Sequence, residues 1–146
     1  MKIIIDGDAC PVIKVVENIS KKYNVSVVIV KNYNHVIRSN YSEVISVDSQ
    51  SESADLKIAN ITEKGDIVVT QDYGLCAMII AKDAIGINQY GKVINSFNID
   101  MELYRRDMNK EIRMKHKKYT KFKKRKQKDN DLFKIEFEKL LKEMKH

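Results

Sequence analysis

The sequence has little of the cysteine and histidine on which many catalytic and zinc sites depend. Its 146 residues include two cysteines, Cys10 and Cys76, and three histidines. The cysteines form neither a CxxC pair nor the Cys/His spacing of a zinc site, which is typical of two small buried hydrophobic residues in a reducing compartment. Cys10 lies at a predicted helix start, where a thiol pKa can fall, but no histidine follows closely to act as its base. We therefore assign the cysteines no chemistry.

Long hydrophobic runs are also missing. The apolar run near the N-terminus is too short for a signal peptide and is not preceded by a basic region, and no stretch approaches the length of a membrane span. These absences predict a cytoplasmic protein. The hydrophobic content of 43% is ample for one core, so we expect a single domain with an appendage.

The net charge of +7 is distributed very unevenly. Between Arg105 and Lys128 there are thirteen lysines and arginines against Asp107 and Glu111, a local balance of +11 that leaves −4 for the rest of the chain. A mildly acidic body with one strongly basic segment indicates a polyanionic partner, with nucleic acid favoured over an anionic membrane surface.

The first twelve residues predict a buried strand, an acidic turn and a helix. Three isoleucines fill the strand, which stops at Asp6-Gly7-Asp8, and Pro11 suits a helix start. In extended backbone residues i and i+2 point the same way, so Asp6 and Asp8 are expected to converge. Two adjacent carboxylates repel each other unless a cation or proton lies between them. The alternative is that Asp8 caps the helix and Asp6 merely ends the strand.

Alternating strands and helices are predicted up to residue 90. Apolar residues at helical spacing indicate a helix over 11–22, and continuous β-branched runs indicate buried strands. Ser53 is the expected N-cap of the next helix, which places Asp55 in its first turn, a position that the helix dipole favours for any acid. The predicted strands are 3–5, 25–30, 44–47, 66–70 and 84–87, and the predicted helices are 11–22, 54–61 and 74–82. This alternation predicts a parallel sheet with helices on both faces.

The character of the sequence changes from Phe97 onward. One or two helices with an arginine-rich face are followed by the lysine run of 114–128, which contains no glycine or proline. Charge of this density repels itself, so the run is expected to be mobile unless it is bound. An apolar stripe over 131–144 predicts a last helix that packs on the body. The expected organisation is an α/β domain over 1–112, a basic segment over 113–130, and a C-terminal helix over 131–146.

Four aspartates are expected to face one crevice. Strands of one parallel sheet end at a common edge, so Asp6, Asp8 and Asp72 at strand ends and Asp55 at a helix start can meet there. Carboxylate oxygens without histidine or cysteine favour Mg²⁺ or Mn²⁺ over zinc, and such ions support phosphodiester hydrolysis. The Thr70 hydroxyl is a candidate ligand of a metal-bound water or a phosphate, or it is an ordinary β-branched strand residue.

The basic segment supplies the candidate nucleic-acid contacts. Lysine and arginine that neutralise phosphates release counterions, and the interleaved Tyr119 and Phe122 can stack on bases. The alternative is a solvated basic surface. The candidate substrate-binding residues are Thr70, Arg105, Arg106, Lys117, Lys118, Lys121, Lys123, Lys124 and Arg125.

Three stretches resemble the bacterial YaiI/YqxD family, whose fold is similar to the PIN domain of metal-dependent nucleases. They are IIIDGDACPV, SADLKIANITEKGDIVVTQDYGLCAMIIAKDAIGIN and NIDMELYRRDM, and the resemblance covers roughly residues 1–112. It implies a PIN-like three-layer αβα fold, a five-stranded parallel sheet in the order 3-2-1-4-5, and an acidic pocket of Asp6, Asp55 and Asp72 with Asp8 close by. Where members of the family carry a Gly/Pro-rich segment before the last helix, this chain carries the lysine run.

Three functional hypotheses follow. The leading one is a Mg²⁺- or Mn²⁺-dependent nuclease that uses Asp6, Asp8, Asp55 and Asp72 and holds RNA on the basic segment. The second is a phosphatase of the haloacid-dehalogenase type, with Asp6 as nucleophile and Asp8 as general acid/base, although Cys10 departs from that motif. The third is a PIN-like module that binds RNA or protein without turnover.

Overall fold

The computed structural model describes residues 1–8, 10–48, 53–116 and 124–145. The predicted contacts Lys117, Lys118, Lys121 and Lys123, and the interleaved Tyr119 and Phe122, lie outside these ranges. Eleven elements follow one another in the described parts of the chain: β1 Lys2–Asp6, α1 Ile13–Lys22, β2 Ser26–Asn32, β3 Glu43–Val47, α2 Ala54–Ile61, β4 Ile67–Val69, α3 Tyr73–Ile80, β5 Ile85–Ile87, β6 Val93–Ile94, α4 Ile99–His116 and α5 Gln127–Lys145.

The strands form one mixed six-stranded sheet in the order β3-β2-β1-β4-β5-β6. The first five pair in parallel, and β6 pairs antiparallel with β5. The expectation of a wholly parallel, five-stranded sheet is therefore wrong in its strand count and in its last pairing. The missed strand has only two residues and follows a turn in which Gly91 has a φ of +86°, so no periodicity marks it.

Helices cover both faces of the sheet. Ile3 and Ile5 of β1 face α1 and α5, and Ile4 faces α2 and α3, as the two-residue period of a strand requires. All three isoleucines are fully buried. The central position of β1 makes it the common wall of both cores, and its carboxyl end opens onto the edge where the helices begin.

The last helix belongs to the core on the α1 side. Phe133 and Phe137 are fully buried, and their rings stack with centroids 5.5 Å apart. The helix begins at Gln127, earlier than predicted, because Asp129 accepts a hydrogen bond from the Lys126 backbone N–H at 2.8 Å, as an acid in the first turn does in a capping box.

The preceding helix also extends further than the domain prediction assumed. α4 continues to His116 because the sequence offers no glycine or proline to stop it, and residues 104–115 are all exposed. Within the described residues no helix is long and apolar enough to cross a membrane.

Candidate functional site

The carboxyl ends of β1 and β4 are tied together by one threonine. Thr70 directly follows β4 and is buried, and its hydroxyl donates to Asp6 Oδ2 at 2.9 Å. Thr70 Oγ1 also accepts a hydrogen bond from the backbone N–H of Asp72 at 3.0 Å. The hydroxyl proton is thus already used within the protein, so Thr70 orients the two acids.

Asp72 is fixed as the N-cap of α3. Its Oδ1 accepts the backbone N–H of Leu75 at 3.1 Å, which satisfies one of the free donors at the start of that helix. Arg106 of α4 lies beside it, with Nη1 3.8 Å from Asp72 Oδ1. The carboxylate of Asp72 therefore has one anchored oxygen and a cation at its side.

Asp55 reaches the same place from α2. Ser53 caps this helix through a hydrogen bond from the Leu56 N–H to Ser53 Oγ at 3.2 Å, as the sequence predicted. Partial burial, a hydrogen bond with Asp72 and the negative charges of Asp72 and Asp6 raise the pKa of Asp55 to about 6. Carboxyl groups from three separate elements therefore meet at this edge, and those of Asp72 and Asp6 act on Asp55.

Asp6 is affected in the same direction. Burial raises the pKa of its carboxyl group, the hydrogen bond from Thr70 opposes that rise, and the charges of Asp8 and Asp72 add to it. The crevice is short of positive charge at its centre.

Asp8 lies to one side of this centre. Both of its carboxylate oxygens accept the backbone N–H of Asn32, at 3.1 and 3.0 Å, and His35 Nδ1 is 3.8 Å from Oδ1. Asp8 thus holds the end of β2. It does not cap α1, whose N-cap is Val12 without a side-chain bond.

Gly7 allows the turn between the two acids. A Cβ at this position would lie 2.8 Å from Ile29 Cγ2 and 3.1 Å from the carbonyl oxygen of Val30, so only glycine fits without a shift. Across this turn the charge of Asp8 still acts on Asp6, where it adds to the rise in the pKa of Asp6.

A small cavity of about 50 Å³ opens beside Asp6. Its volume accommodates a water molecule or an ion but not a nucleotide. The lining residues are Asp6, Asp8, Cys10, Val69, Thr70 and Gln71. Cys10 and Gln71 were not among the predicted site residues; the only signal for them in the sequence is their position next to the acids.

The predicted basic residues separate into two groups. Arg106 meets Asp72, whereas Arg105 lies 3.6 Å from Glu102, one turn earlier on α4, and Lys124 is exposed. Arg125 is partly buried: its Nε donates to Asn130 Oδ1 at 2.7 Å and its Nη2 donates to the Gln89 carbonyl at 2.9 Å.

The third guanidinium nitrogen of Arg125, Nη1, has different surroundings from the other two. Nη1 is buried and has no hydrogen-bond partner among the residues that the structure describes. The charge of Arg125 also reaches Cys10, where it opposes the rise in the thiol pKa that burial causes. Cys10 also lines the Asp6 cavity, so the charge of Arg125 acts on one wall of that cavity, whereas Arg106 lies beside Asp72.

The carboxylates lie close to one another but do not form a complete metal site. In the described ranges, no group of three or more His, Cys, Asp or Glu side chains is arranged to hold a metal ion. The pair formed by Asp55 and Asp72, with Asp6 nearby, is the strongest concentration of oxygen donors at this edge.

Comparison with known proteins agrees with the sequence and the fold. A family model described as "Uncharacterized BCR, YaiI/YqxD family" matches residues 4–143. The chain belongs to the YaiI/YqxD family. The match corrects the extent expected from the motifs, because it continues past residue 112 through the basic segment and into α5.

Curated relatives support this membership over nearly the whole chain. The chain is similar to the UPF0178 protein of Alkaliphilus oremlandii, 48% identical over 97% of this chain and 88% of the relative. It is 44% identical to that of Natranaerobius thermophilus over 99% of both chains, and 40% identical to that of Clostridium perfringens over 99% of this chain and 97% of the relative. No solved structure matches the chain. The YaiI/YqxD family is described as uncharacterised, so membership gives no activity.

Proposed function

We propose that this protein is a Mg²⁺- or Mn²⁺-dependent phosphodiester hydrolase that cuts RNA at the crevice of Asp6, Asp55 and Asp72. One observation carries the proposal: Thr70 links Asp6 to the backbone of Asp72, Asp72 forms a hydrogen bond with Asp55, and burial, that hydrogen bond and the charges of Asp72 and Asp6 raise the pKa of Asp55 to about 6. A divalent cation relieves such repulsion, and perturbed carboxyl groups in a crevice are typical of functional sites.

The donor set fits magnesium or manganese. Mg²⁺ keeps several waters and is often bound by only one or two carboxylates together with substrate phosphates, so a complete cage of three protein ligands is not required. Asp55 and Asp72 would be the direct ligands, and Asp6 would orient the water molecules that the ion keeps. When bound, the ion activates a water and neutralises the charge that develops at phosphorus.

The side chains around this centre have separate tasks in the proposal. Thr70 keeps Asp6 and Asp72 in fixed positions relative to each other. Asp55 would release its proton on binding of a cation. Arg106 is available to the non-bridging oxygens of a phosphate, for which a guanidinium group is well suited, whereas Arg125 is held by Asn130 and Gln89 and its Nη1 is buried. Asp8 supports the rim through Asn32, in a positioning role.

The architecture supports a PIN-like assignment. The five parallel strands follow the order 3-2-1-4-5, with Asp6 and Asp72 at the carboxyl ends of neighbouring strands. RNA is the proposed substrate because the sequence concentrates basic residues between Arg105 and Lys128, and one of them, Arg106, lies beside Asp72 at this edge.

The phosphatase hypothesis finds less support. In that mechanism Asp6 and Asp8 act on the same substrate, whereas both carboxylate oxygens of Asp8 accept the backbone N–H of Asn32 at the end of β2. The non-catalytic hypothesis has one observation in its favour, because the described residues contain no ready three-ligand metal group. The same experiment addresses both alternatives.

The test combines Mn²⁺ titration with cleavage of labelled single-stranded RNA. Wild type is compared with Asp72→Asn, which preserves an N-cap oxygen for α3, and with Asp100→Asn, which neutralises an exposed acid in the first turn of α4. We expect thermal stabilisation by Mn²⁺ and cleavage in wild type and Asp100→Asn, and a loss of cleavage of at least about 100-fold in Asp72→Asn. Intact RNA in every case would refute the nuclease proposal, and RNA binding without cleavage would favour the binding module.

A further inference from the structure

A groove outside the acidic crevice lies between α1 and the 37–42 loop. It has a volume of about 250 Å³ and is lined by Lys14, Glu17, Asn18, Lys21, Arg38, Ser39, Asn40 and Tyr41. Lys14 and Lys21 are two turns apart on α1, so the groove extends about 10 Å along that helix.

The loop that forms one wall of the groove is pinned to α1. The Glu17 carboxylate accepts hydrogen bonds from the hydroxyls of Ser39 and Ser42. Ser39 Oγ in turn accepts the backbone N–H groups of Tyr41, at 3.1 Å, and of Ser42, at 2.9 Å. The Tyr41 hydroxyl donates to the Val25 carbonyl. The groove is therefore a preformed feature of the fold, with a fixed aromatic wall.

The charge inside the groove is positive and largely unused. Lys14, Lys21 and Arg38 face one acid, Glu17, whose negative charge is already stabilised by two hydroxyls. Within the described parts of the chain, neither Lys14 nor Arg38 has a hydrogen bond or an ion pair. Lys21 Nζ lies 5.3 Å from the centre of the Tyr41 ring, which leaves its N–H donors available.

The groove adjoins the acidic turn. A Cβ at Gly7 would lie 3.1 Å from Ile37 Cδ1, so the loop contacts the turn that separates Asp6 from Asp8. Arg38 is the next residue of the loop, and Lys14 is in the first turn of α1. A strand that leaves the crevice on the α1 side therefore meets these two cations first.

We propose that this groove binds a backbone phosphate of a single-stranded nucleic acid through Lys14, Lys21 and Arg38, with the Asn18 and Asn40 amides as further donors. Its volume suits one phosphate with its sugar and is below that of most sites for whole drug-sized ligands. The proposal rests on the nucleic-acid partner in the proposed function but requires no catalysis.

The test measures RNA affinity in EDTA, so that cleavage does not enter. Fluorescence anisotropy of a labelled single-stranded RNA is compared for wild type, the double variant Lys14→Gln/Arg38→Gln, and the control Lys64→Gln/Lys134→Gln, which removes two exposed lysines elsewhere. We expect the groove variant to bind about tenfold more weakly and to lower the salt slope by roughly 0.7, the loss of one phosphate contact on a single strand. The control should differ from wild type by less than about twofold.

A third variant is expected to change RNA affinity in the opposite direction. Glu17→Gln keeps an oxygen acceptor for the two serines and removes the acid from the groove, so RNA affinity should rise about two- to threefold. Equal affinities in the groove and control variants would overturn the proposal.

Inorganic phosphate separates a backbone site from a site for small anions. If groove substitutions abolish a thermal shift caused by phosphate but leave RNA affinity intact, the nucleic-acid assignment is wrong. If wild type binds RNA through the groove but never cleaves it with Mn²⁺, the groove stands and the hydrolase proposal fails.

Discussion

Asp6, Asp55 and Asp72 are carried by elements that pack into the two cores, whereas the basic residues of α4 lie on a helix whose residues 104–115 are all exposed. The acids are held by named contacts: Thr70 on Asp6, and the Leu75 N–H and Arg106 on Asp72. Burial and mutual repulsion raise the pKa of Asp6 and Asp55. The concentration of negative charge therefore lowers the stability of the fold, whereas the basic side chains of α4 lie in solvent, where screening weakens their mutual repulsion.

The core that supports the acidic crevice should respond most strongly to mutation. Phe137→Ala removes a fully buried ring that stacks on Phe133, and we expect a loss of about 3–5 kcal/mol in the free energy of unfolding. Ile135→Ala, on the exposed side of the same helix, should cost less than about 1 kcal/mol. Urea denaturation measures both. Similar losses would mean that α5 does not pack on the sheet as described.

The crevice should also show its repulsion as a pH dependence of stability. The pKa of Asp55 is about 6 in the folded state against 3.8 unfolded, so the folded state retains a proton that the unfolded state releases. Stability in EDTA should therefore fall as the pH rises from about 4 to 6, by roughly 1–2 kcal/mol for this partly exposed group, and the penalty should persist at pH 7.

Substitution isolates the source of this slope. Asp55→Asn should flatten it and be more stable than wild type at pH 7, whereas Asp100→Asn should retain it. Thermal unfolding between pH 4 and 7 is the measurement, and an unchanged slope in Asp55→Asn would assign the effect to other groups.

The threonine between the two strand ends should have a smaller effect. Thr70→Val keeps the shape and removes the donor to Asp6 and the acceptor for the Asp72 N–H, so we expect a loss of about 1–2 kcal/mol at pH 7. The loss should shrink at low pH, since a protonated Asp6 needs the donor less. Chemical denaturation at pH 4 and pH 7 tests this, and an equal loss at both values would contradict the role of Thr70.

The smallest expected effect concerns the two adjacent arginines of α4. Arg106→Gln removes a cation 3.8 Å from Asp72 and should raise Mn²⁺ affinity about two- to threefold, because the carboxylate is then less neutralised. Arg105→Gln, whose partner is Glu102, should leave it unchanged. Calorimetric titration distinguishes them, and equal shifts would show that only net charge matters.

Several features of the site could be read from the chain. The apolar run of β1 and the end of β4 place Asp6 and Asp72 at one edge once the strands are taken as parallel, and the capping pattern places Asp55 in the first turn of α2. Thr70 was recognised as a site residue, but its role was not, because a hydroxyl can serve a ligand or a neighbouring acid and only the contact distinguishes them.

Local sequence patterns did not reveal the features that depend on contacts between distant residues or on very short elements. Asp6 and Asp8 line one cavity, but the hydrogen bonds that Asp8 accepts from the Asn32 N–H join it to a residue 24 positions away, which no local rule indicates. The strand β6 is too short to produce a pattern, and the groove between α1 and the 37–42 loop depends on contacts between residues about 20 positions apart.

The sequence by itself determined the alternating α/β order, the acids at strand and helix ends, and the concentration of basic residues, because periodicity, capping and charge are local properties. Only the tertiary structure decided which acids act on one another, which arginine meets Asp72 and where unpaired cations gather, because each depends on distances between elements far apart in the chain.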